Sequence, residues 1–168
     1  MLPTLPDGTR YTIRPIGPAD RLALVALMGR LSADSRRRRF LVPKPELSST
    51  ELRYFTHVDQ LNHIALVAEA AGEPGRLLAV ARCVRLEPGG DVADFAIAVA
   101  DAHQRQGLGT ALARALADAA HAAGIRRFAA TTLADNVPAV RLMRAFAARL
   151  HDCGVSGGVR DLRLDLAA

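Results

Sequence analysis

"DAHQRQGLGTALARALADAAHAAG", Asp101 to Gly124, is the stretch on which the reading of this chain turns. Its second half is plain. Leu108, Ala111, Leu112, Ala115, Leu116, Ala119 and Ala123 recur at the period of about 3.6 residues that gives a helix one apolar side. Arg114 and Asp118 stand four apart on the other side, and Gly124 supplies a stop. Its first half is odd, because "QRQGLGT" begins a helix with two glycines and few good helix formers. A strand that passes through glycines into a helix leaves backbone N–H groups unpaired at the positive end of the helix dipole. Phosphate binds well there, since glycine lets the backbone come close. Gly107 and Gly109 would open such a loop, Thr110 would add a hydroxyl, and Gln104 and Arg105 would add side-chain donors. A tight turn into a helix accounts for the same letters. The G-K-[ST] ending of a P-loop is absent. So are the third glycine and the parallel strand–helix–strand unit of a dinucleotide fold.

Upstream of this stretch, "HIALVAEA" (63–70), "RLLAVARCVRLE" (76–87) and "DVADFAIAV" (91–99) are strand-like and separated by the turn clusters "AGEPG" and "EPGGD". They form an antiparallel meander at the centre of the protein. Before it, "RYTIRPI" (10–16) alternates as a first strand. A helix follows from Pro18–Asp20, its apolar face read through Leu22, Val25, Ala26 and Met28. Ser32 or Asp34 could cap a short basic helix, and Ser48 or Ser49, with Glu51 in the first turn, a third. After Gly124 come a fifth strand (Ile125 to Leu133), a helix (Asn136 to Leu150) and a last alternating strand (Val159 to Leu166). The pattern predicts one mixed α/β domain over 1–168, with a single sheet covered on both faces.

Composition narrows the function. The 168 residues are 50% apolar and 23% charged, as in a soluble globular chain. No apolar run nears the roughly 20 residues that cross a bilayer, so no membrane partner is expected. The N-terminus lacks the pattern of a secretory signal, which makes cytoplasmic the default location. Cys83 and Cys153 are too few for a disulfide framework, with Cys83 expected inside a strand, and the scattered histidines argue for no metal. A net charge of +5 favours anionic ligands; nearly all of the positive charge is arginine, Lys44 being the only lysine. Aromatic residues at 4% give little to stack on bases, so nucleic acid is not the expected partner.

Gln104-x-x-Gly107-x-Gly109, after the strand "DFAIAV" and before an amphipathic helix, resembles the acetyl-CoA motif of the GNAT N-acetyltransferases. The likeness covers nearly the whole chain: strand, two helices, three-strand meander, motif helix, strand, helix and terminal strand follow that superfamily's order. "NVPAVRLM" is similar to its N-x-x-A-x-x-L segment through Asn136, Ala139 and Leu142. More narrowly, "LSADSRRRRF" (31–40), "VDQLNHIALVA" (58–68) and "VADFAIAV" (92–99) resemble the acetyltransferase domain of bacterial Pat-type protein lysine acetyltransferases. The resemblance implies the GNAT fold, an α+β arrangement whose central, mostly antiparallel mixed sheet of six to seven strands carries helices on both faces.

It also implies acetyl-CoA as cosubstrate and an amine acceptor, on a protein or a small molecule, with the chain a monomer or homodimer. The backbone N–H groups of Arg105, Gln106, Gly107, Leu108, Gly109 and Thr110 would hold the pyrophosphate. Backbone groups of Ile97 and Val99 would pair with the pantetheine arm where the third meander strand splays from the next one. The Ile97 N–H would also polarise the thioester carbonyl. Asn136 and Arg141 would sit by the lower pantetheine or the nucleotide. Asp94, at the family's acidic A-[ED]-F-A position, would take the proton that a lysine amine must lose before attack; Asp91 and Glu69 are the fallback carboxylates. Ser35, Arg39 and Phe40 either line the acceptor cleft or belong to a solvated helix face, and His103 reads as a loop surface residue. One departure stands out: where many GNAT enzymes carry a tyrosine that protonates the leaving thiolate, this chain has Met143. A domain of this fold that binds acyl-CoA without turning it over, as a sensor, is the non-catalytic alternative.

Overall fold

The computed structural model describes residues 1–168. The chain runs β1 (Tyr11–Pro15), α1 (Arg21–Gly29), α2 (Ala33–Phe40), α3 (Ser49–Thr56), β2 (His63–Ala70), β3 (Leu77–Arg85), β4 (Val92–Val99), α4 (Leu108–Ala122), β5 (Arg127–Leu133), α5 (Val137–Phe146), β6 (Arg149–Ser156) and β7 (Val159–Asp165). The strands form one sheet in the order β1-β2-β3-β4-β5-β7-β6. Every neighbouring pair is antiparallel except β4–β5. The sheet separates two apolar layers, as its alternating side chains require. The larger, under α4 and α5, gathers Leu108, Leu112, Leu116, Phe95, Phe128 and Phe146. The smaller, under α1 to α3, gathers Leu24, Leu27, Met28, Leu31, Leu52 and Val80. This is the expected α+β arrangement, with seven strands.

One irregularity positions everything that follows. The parallel pairing of β4 with β5 lasts only from Val92 to Asp94, opposite Arg127 to Ala129. β5 instead stays paired with β7 along its whole length, Arg127 to Leu133. The two central strands therefore part just after Asp94.

The register of the β4 hydrogen bonds decides which groups face the gap. The Leu86 N–H donates to the Val92 carbonyl, and the Ala100 N–H to the Leu78 carbonyl. Residues of that parity bond to β3, so the backbone groups of Phe95, Ile97 and Val99 point into the opening.

Three expectations about helices change. The buried stripe of α1 is Leu24, Leu27, Met28 and, just beyond it, Leu31, while Leu22, Val25 and Ala26 face solvent. A 3-10 turn at Pro18–Asp20 precedes α1 and offsets its phase. In α4 the buried residues are Leu108, Leu112, Ala113, Leu116 and Ala120; Ala111, Ala115, Ala119 and Ala123 lie at the margin. The leucines fix that face, and a helix this rich in alanine gives no second cue. Finally, the last helix stops at Phe146 and Ala147 is extended. Arg149–Ser156 is a strand that forms a hairpin with β7. Gly157 (φ 60) and Gly158 (φ 79) supply the two left-handed residues of its tight turn. As an exposed edge strand, β6 has no inward apolar alternation to betray it.

The helices over the smaller layer are pinned by their starts. Ser32 caps α2, its Oγ accepting from the Ser35 N–H at 3.0 Å. Ser48 and Glu51 cap α3 reciprocally: Ser48 Oγ accepts the Glu51 N–H (3.1 Å) and Glu51 accepts the Ser48 N–H (2.7 Å). Glu51 also pairs with Lys44. Ser48→Ala should cost about 1 kcal/mol. A thermal melt should then show the midpoint lower by roughly 2–4 °C.

Candidate active site

The loop from Gln104 to Thr110 is shaped by two unusual residues. Arg105 (φ 59) and Gly107 (φ 87) both lie in the left-handed region, which turns the chain from the end of β4 into α4. A Cβ on Gly107 would meet nothing within 4 Å. Gly107 is thus needed for its dihedral and leaves its outer side open. Gly109 serves differently from the expectation that it bares the backbone. A Cβ there would come within 2.7 Å of Leu142 Cδ1 and 3.4 Å of Val99 Cγ2, so its absence lets α4 pack against α5 and β4.

None of the backbone N–H groups from Arg105 to Thr110 finds a hydrogen-bond partner within the protein; only at Ala111 does the helix ladder begin, with a bond to the Gly107 carbonyl. Six adjacent unpaired donors at the N-terminus of a 15-residue helix form a strong site for an anion. A diphosphate fits this donor set.

Beside the loop lies a cavity of about 610 Å³. Its floor is the parted β4, through Ile97 and Val99; the loop contributes Arg105, Gly107, Gly109 and Thr110, and α5 contributes Asn136, Arg141 and Leu142. Leu31, Ser35, Arg38 and Arg39 close the opposite side. A smaller recess of about 70 Å³ continues it between β4 and β5, reaching Phe95, Thr132 and Met143. One channel therefore runs from the anion-binding loop through the splayed strands to the foot of α2.

The side chains named from sequence divide by placement. Asn136 is buried, and its Oδ1 caps α5 by accepting the Ala139 N–H at 3.3 Å. Its Nδ2 makes no hydrogen bond within the protein. The Gln104 amide, expected to serve a ligand, instead donates to Ser35 Oγ (3.1 Å) and to the Val99 carbonyl (3.0 Å). It straps the loop to α2 and β4. The Gln106 side chain bonds the Ala102 carbonyl and Leu108 is buried in the core, so these two can offer the channel only backbone. His103 is not a surface residue: it is 7% exposed, with Nδ1 3.4 Å from Asp7, because the 3-10 turn Asp101–His103 tucks it under the N-terminal segment. Phe40 does not line the cavity but packs against Phe55 at 6.5 Å between ring centres.

Among the carboxylates, Asp94 alone of the three candidates stands where β4 and β5 part. Glu69 is tied to Arg14 (3.0 Å) and to the Gly75 N–H, and Asp91 pairs with Arg127 at 3.1 Å. Solvent reaches Asp94, yet the surrounding protein removes enough water to raise its pKa. The positive charges of Arg39 and Arg163 oppose that rise without cancelling it.

Sequence reasoning missed the surroundings of Asp94. Arg82 on β3 faces the same side of the sheet, opposite Ala96, and is 5% exposed. Its Nη1 donates to the Phe55 carbonyl (3.1 Å) and to His63 Nε2 (2.8 Å), and its guanidinium lies 4.4 Å over the Phe55 ring. Burial, and then the charge of Arg39, lower its pKa to about 9. Burial and the Arg82 charge lower His63 to about 4, so the imidazole is neutral and accepts at Nε2. Arg39 is brought down to about 10 by burial, against the opposing pull of Asp94. An arginine inside an otherwise apolar strand was the available signal.

The structure contains no group of three or more His, Cys, Asp or Glu residues able to hold a metal ion, and no helix long and apolar enough to cross a membrane. Cys83 is buried in β3, where desolvation pushes its thiol up to about 12.

Residues 32–147 match the model of the acetyltransferase (GNAT) family. The GNAT domain of S. lividans PAT is 33% identical, with a TM-score of 0.86 over 99% of this chain and 96% of that one. A cAMP-binding acyltransferase from Mycobacterium smegmatis is 27% identical with a TM-score of 0.69; all of this chain matches 47% of that one. The fold is shared with yncA from Salmonella typhimurium, solved with its cofactor acetyl-CoA, at 22% identity and a TM-score of 0.68 over 94% of both chains. With most of its length matched by the family model and a relative one-third identical end to end, this chain belongs to the GNAT family of acetyl-CoA-dependent N-acetyltransferases.

Proposed function

We propose that this enzyme acetylates lysine side chains of proteins, the amine attacking the thioester directly while both substrates are bound. The observation that carries the reading is one channel with six unpaired N–H groups at one end and a parted strand pair in the middle, with the Asp94 carboxylate just outside its lining, where the strands begin to part. The choice of protein lysine over a small amine is supported by the Pat-like segments around α2, β2 and β4 and by the likeness to the S. lividans PAT domain.

In this scheme the N–H groups of Arg105 to Thr110 bind the pyrophosphate of acetyl-CoA. The backbone of Ile97 and the Val99 N–H, pointing into the gap, pair with the extended pantetheine arm as a neighbouring strand would, the Val99 carbonyl being held by Gln104. The Ile97 N–H donates to the thioester oxygen as negative charge grows on it. Asp94 accepts the proton lost by the amine, directly or through one water. Asn136 offers its free amide donor from the wall. A cytoplasmic setting, with thiols reduced and acetyl-CoA present, suits this chemistry.

Met143 cannot protonate the departing sulfur, and a thiol of pKa near 8.5 can leave as thiolate unaided. The Thr132 hydroxyl fills part of that role as a hydrogen-bond donor. It is 7% exposed, lacks any partner in the protein, and lines the recess together with Met143 and Asn136. Thr132→Val preserves the shape and removes the donor. Losing a hydrogen bond to a charged group costs about 1.5–3 kcal/mol, so kcat should fall roughly 10- to 100-fold. The melting temperature should stay or rise, because an unsatisfied buried hydroxyl is removed. A variant with unchanged kcat would dismiss Thr132 from the reaction.

The direct test incubates the purified chain with acetyl-CoA and lysine-containing peptides or proteins, and locates the added acetyl group by mass spectrometry. Transfer to lysine side chains supports the proposal. Efficient transfer to small polyamines with none to peptides would favour a small-amine acetyltransferase. Tight acetyl-CoA binding with no transfer to any amine would point to a sensor domain.

A further inference from the structure

Most half-buried or buried cations of this protein have a visible partner. Arg14 is held by Asp20 and Glu69, Arg38 by Asp34, and Arg85 by the Gly90 and Ala123 carbonyls. Arg39 and Arg82 break the pattern. Neither forms an ion pair. Arg82 has only a carbonyl and a neutral imidazole to bond, and Arg39 makes no hydrogen bond at all. Burying charge without a counter-charge is costly, and two like charges together make it costlier.

Aromatic contacts nevertheless hold both side chains. The Arg39 guanidinium lies 4.7 Å over the Phe40 ring and 5.9 Å from the Phe55 ring centre, and Arg82 stacks on Phe55 as well. Phe55 thus lies against both cations. Arg39 also borders both the main cavity and the recess between the strands. Its free donors are accessible from the channel, on the side of the sheet that Asp94 faces.

Resting on the acetyltransferase reading above, we propose that Arg39 and Arg82 form an anion subsite beside Asp94, so that the preferred acceptor amine has a carboxylate or phosphate close to it. The spacing follows from the strand register. Arg82 is opposite Ala96 and Val84 opposite Asp94, which makes Arg82 and Asp94 diagonal neighbours on one face, roughly 7–8 Å apart at the backbone. An acceptor whose amine meets Asp94 and whose anion meets the two guanidiniums spans a distance of that order. A lysine next to an acidic residue in a peptide satisfies this, and so does a small ω-amino carboxylate. Asp94 attracts Arg39 only from a distance; an anion here supplies the direct ion-pair partner that neither arginine has, and planar guanidinium forks suit carboxylate and phosphate alike. If Arg39 served only to tune Asp94, its loss would affect every acceptor equally.

The test measures kcat/KM for acetyl transfer in two arms. The first pairs lysine peptides that carry a neighbouring Asp with otherwise identical peptides carrying Asn. The second pairs ω-amino carboxylates of increasing chain length with their primary amides. In at least one arm the charged member should be favoured about tenfold or more by the unaltered enzyme, and the arm showing it identifies whether the anion belongs to a peptide or a small molecule. Arg39→Gln should bring that ratio toward one, by lowering the charged member's kcat/KM more than the neutral member's, chiefly through KM. Equal rates for charged and neutral members in both arms would overturn the subsite while leaving the acetyltransferase reading intact. So would a uniform loss across both members in Arg39→Gln. Transfer to none of the acceptors would sink the acetyltransferase reading itself and the subsite with it.

Discussion

Asp94→Asn should lower acetyl transfer by roughly 10²- to 10⁴-fold, the span typical for removing a positioned general base. Acetyl-CoA affinity should change little, because Asp94 lies beyond the parting of β4 and β5 from the N–H groups of Arg105 to Thr110. The same variant should melt at a higher temperature at neutral pH. Partial loss of surrounding water raises the Asp94 pKa above its unfolded value even though solvent reaches the side chain, and Arg39 and Arg163 offset only part of this. Below both values the carboxyl is neutral in the folded and unfolded chain, and it contributes no difference. Above them the fold carries a charged group that it destabilises relative to the unfolded chain, a cost that asparagine removes. The gain in melting temperature should therefore shrink as the pH is lowered through the raised folded-state value and be gone below the unfolded one. A drop in activity joined to a rise in stability separates a catalytic carboxylate from a structural one. If the variant turned over normally, the proton would have to leave by another route.

The pH profile of the unaltered enzyme carries the same sign. Asp94 accepts a proton only when ionised, so kcat/KM should fall as pH drops through its raised pKa. On the alkaline side the rate should climb as the amine loses its proton, toward the ordinary lysine value near 10.4. In Asp94→Asn the acidic limb should vanish and the alkaline dependence should remain.

The parts of this site that were legible in the sequence are those where backbone chemistry leaves a mark on residue choice. Gly107 is required by its left-handed dihedral, and the strand before it and the helix after it are both strongly periodic. Asp94 was a candidate through its place in the A-[ED]-F-A segment that the chain shares with the family it resembles, and not through a mark that backbone chemistry left. The Gln104 strap was not legible, since a glutamine facing a ligand and one bonding Ser35 look alike in a string of letters. Arg82 stands out as an arginine in an apolar strand, but its partnership with His63 was not legible, because it joins residues 19 apart through the β2–β3 register. Strand β6 escaped because an exposed edge places no apolar demand on its side chains. Local pattern records what a residue does to its own backbone, and long-range contacts are recorded only when they bury something.

Gly107→Glu should reduce CoA affinity by at least about 100-fold without unfolding the chain. Two effects contribute, and they can be separated. A residue with a Cβ held at φ 87 is strained by roughly 1–2 kcal/mol. That strain belongs to the free protein and lowers its melting temperature whether or not a ligand is present. A Cβ on Gly107 has open space around it, so the substitution is expected to leave the fold intact. Its carboxylate, however, stands among the donors meant for a diphosphate. A unit charge about 5 Å from another repels it by about 3 kcal/mol at an effective dielectric of 20, and by less than 1 kcal/mol in water. A diphosphate presents more than one such charge, which places the loss at or above 100-fold. Gly107→Ala is the control. It carries the strain without the charge, so it should lose several degrees in melting temperature and much less affinity. Salt provides the second separation: raising ionic strength screens the repulsion and should narrow the gap between Gly107→Glu and Gly107→Ala, while the loss in melting temperature shared by both persists. If calorimetry found CoA bound by Gly107→Glu as tightly as by the unaltered chain, the unpaired N–H groups from Arg105 to Thr110 would need some other ligand.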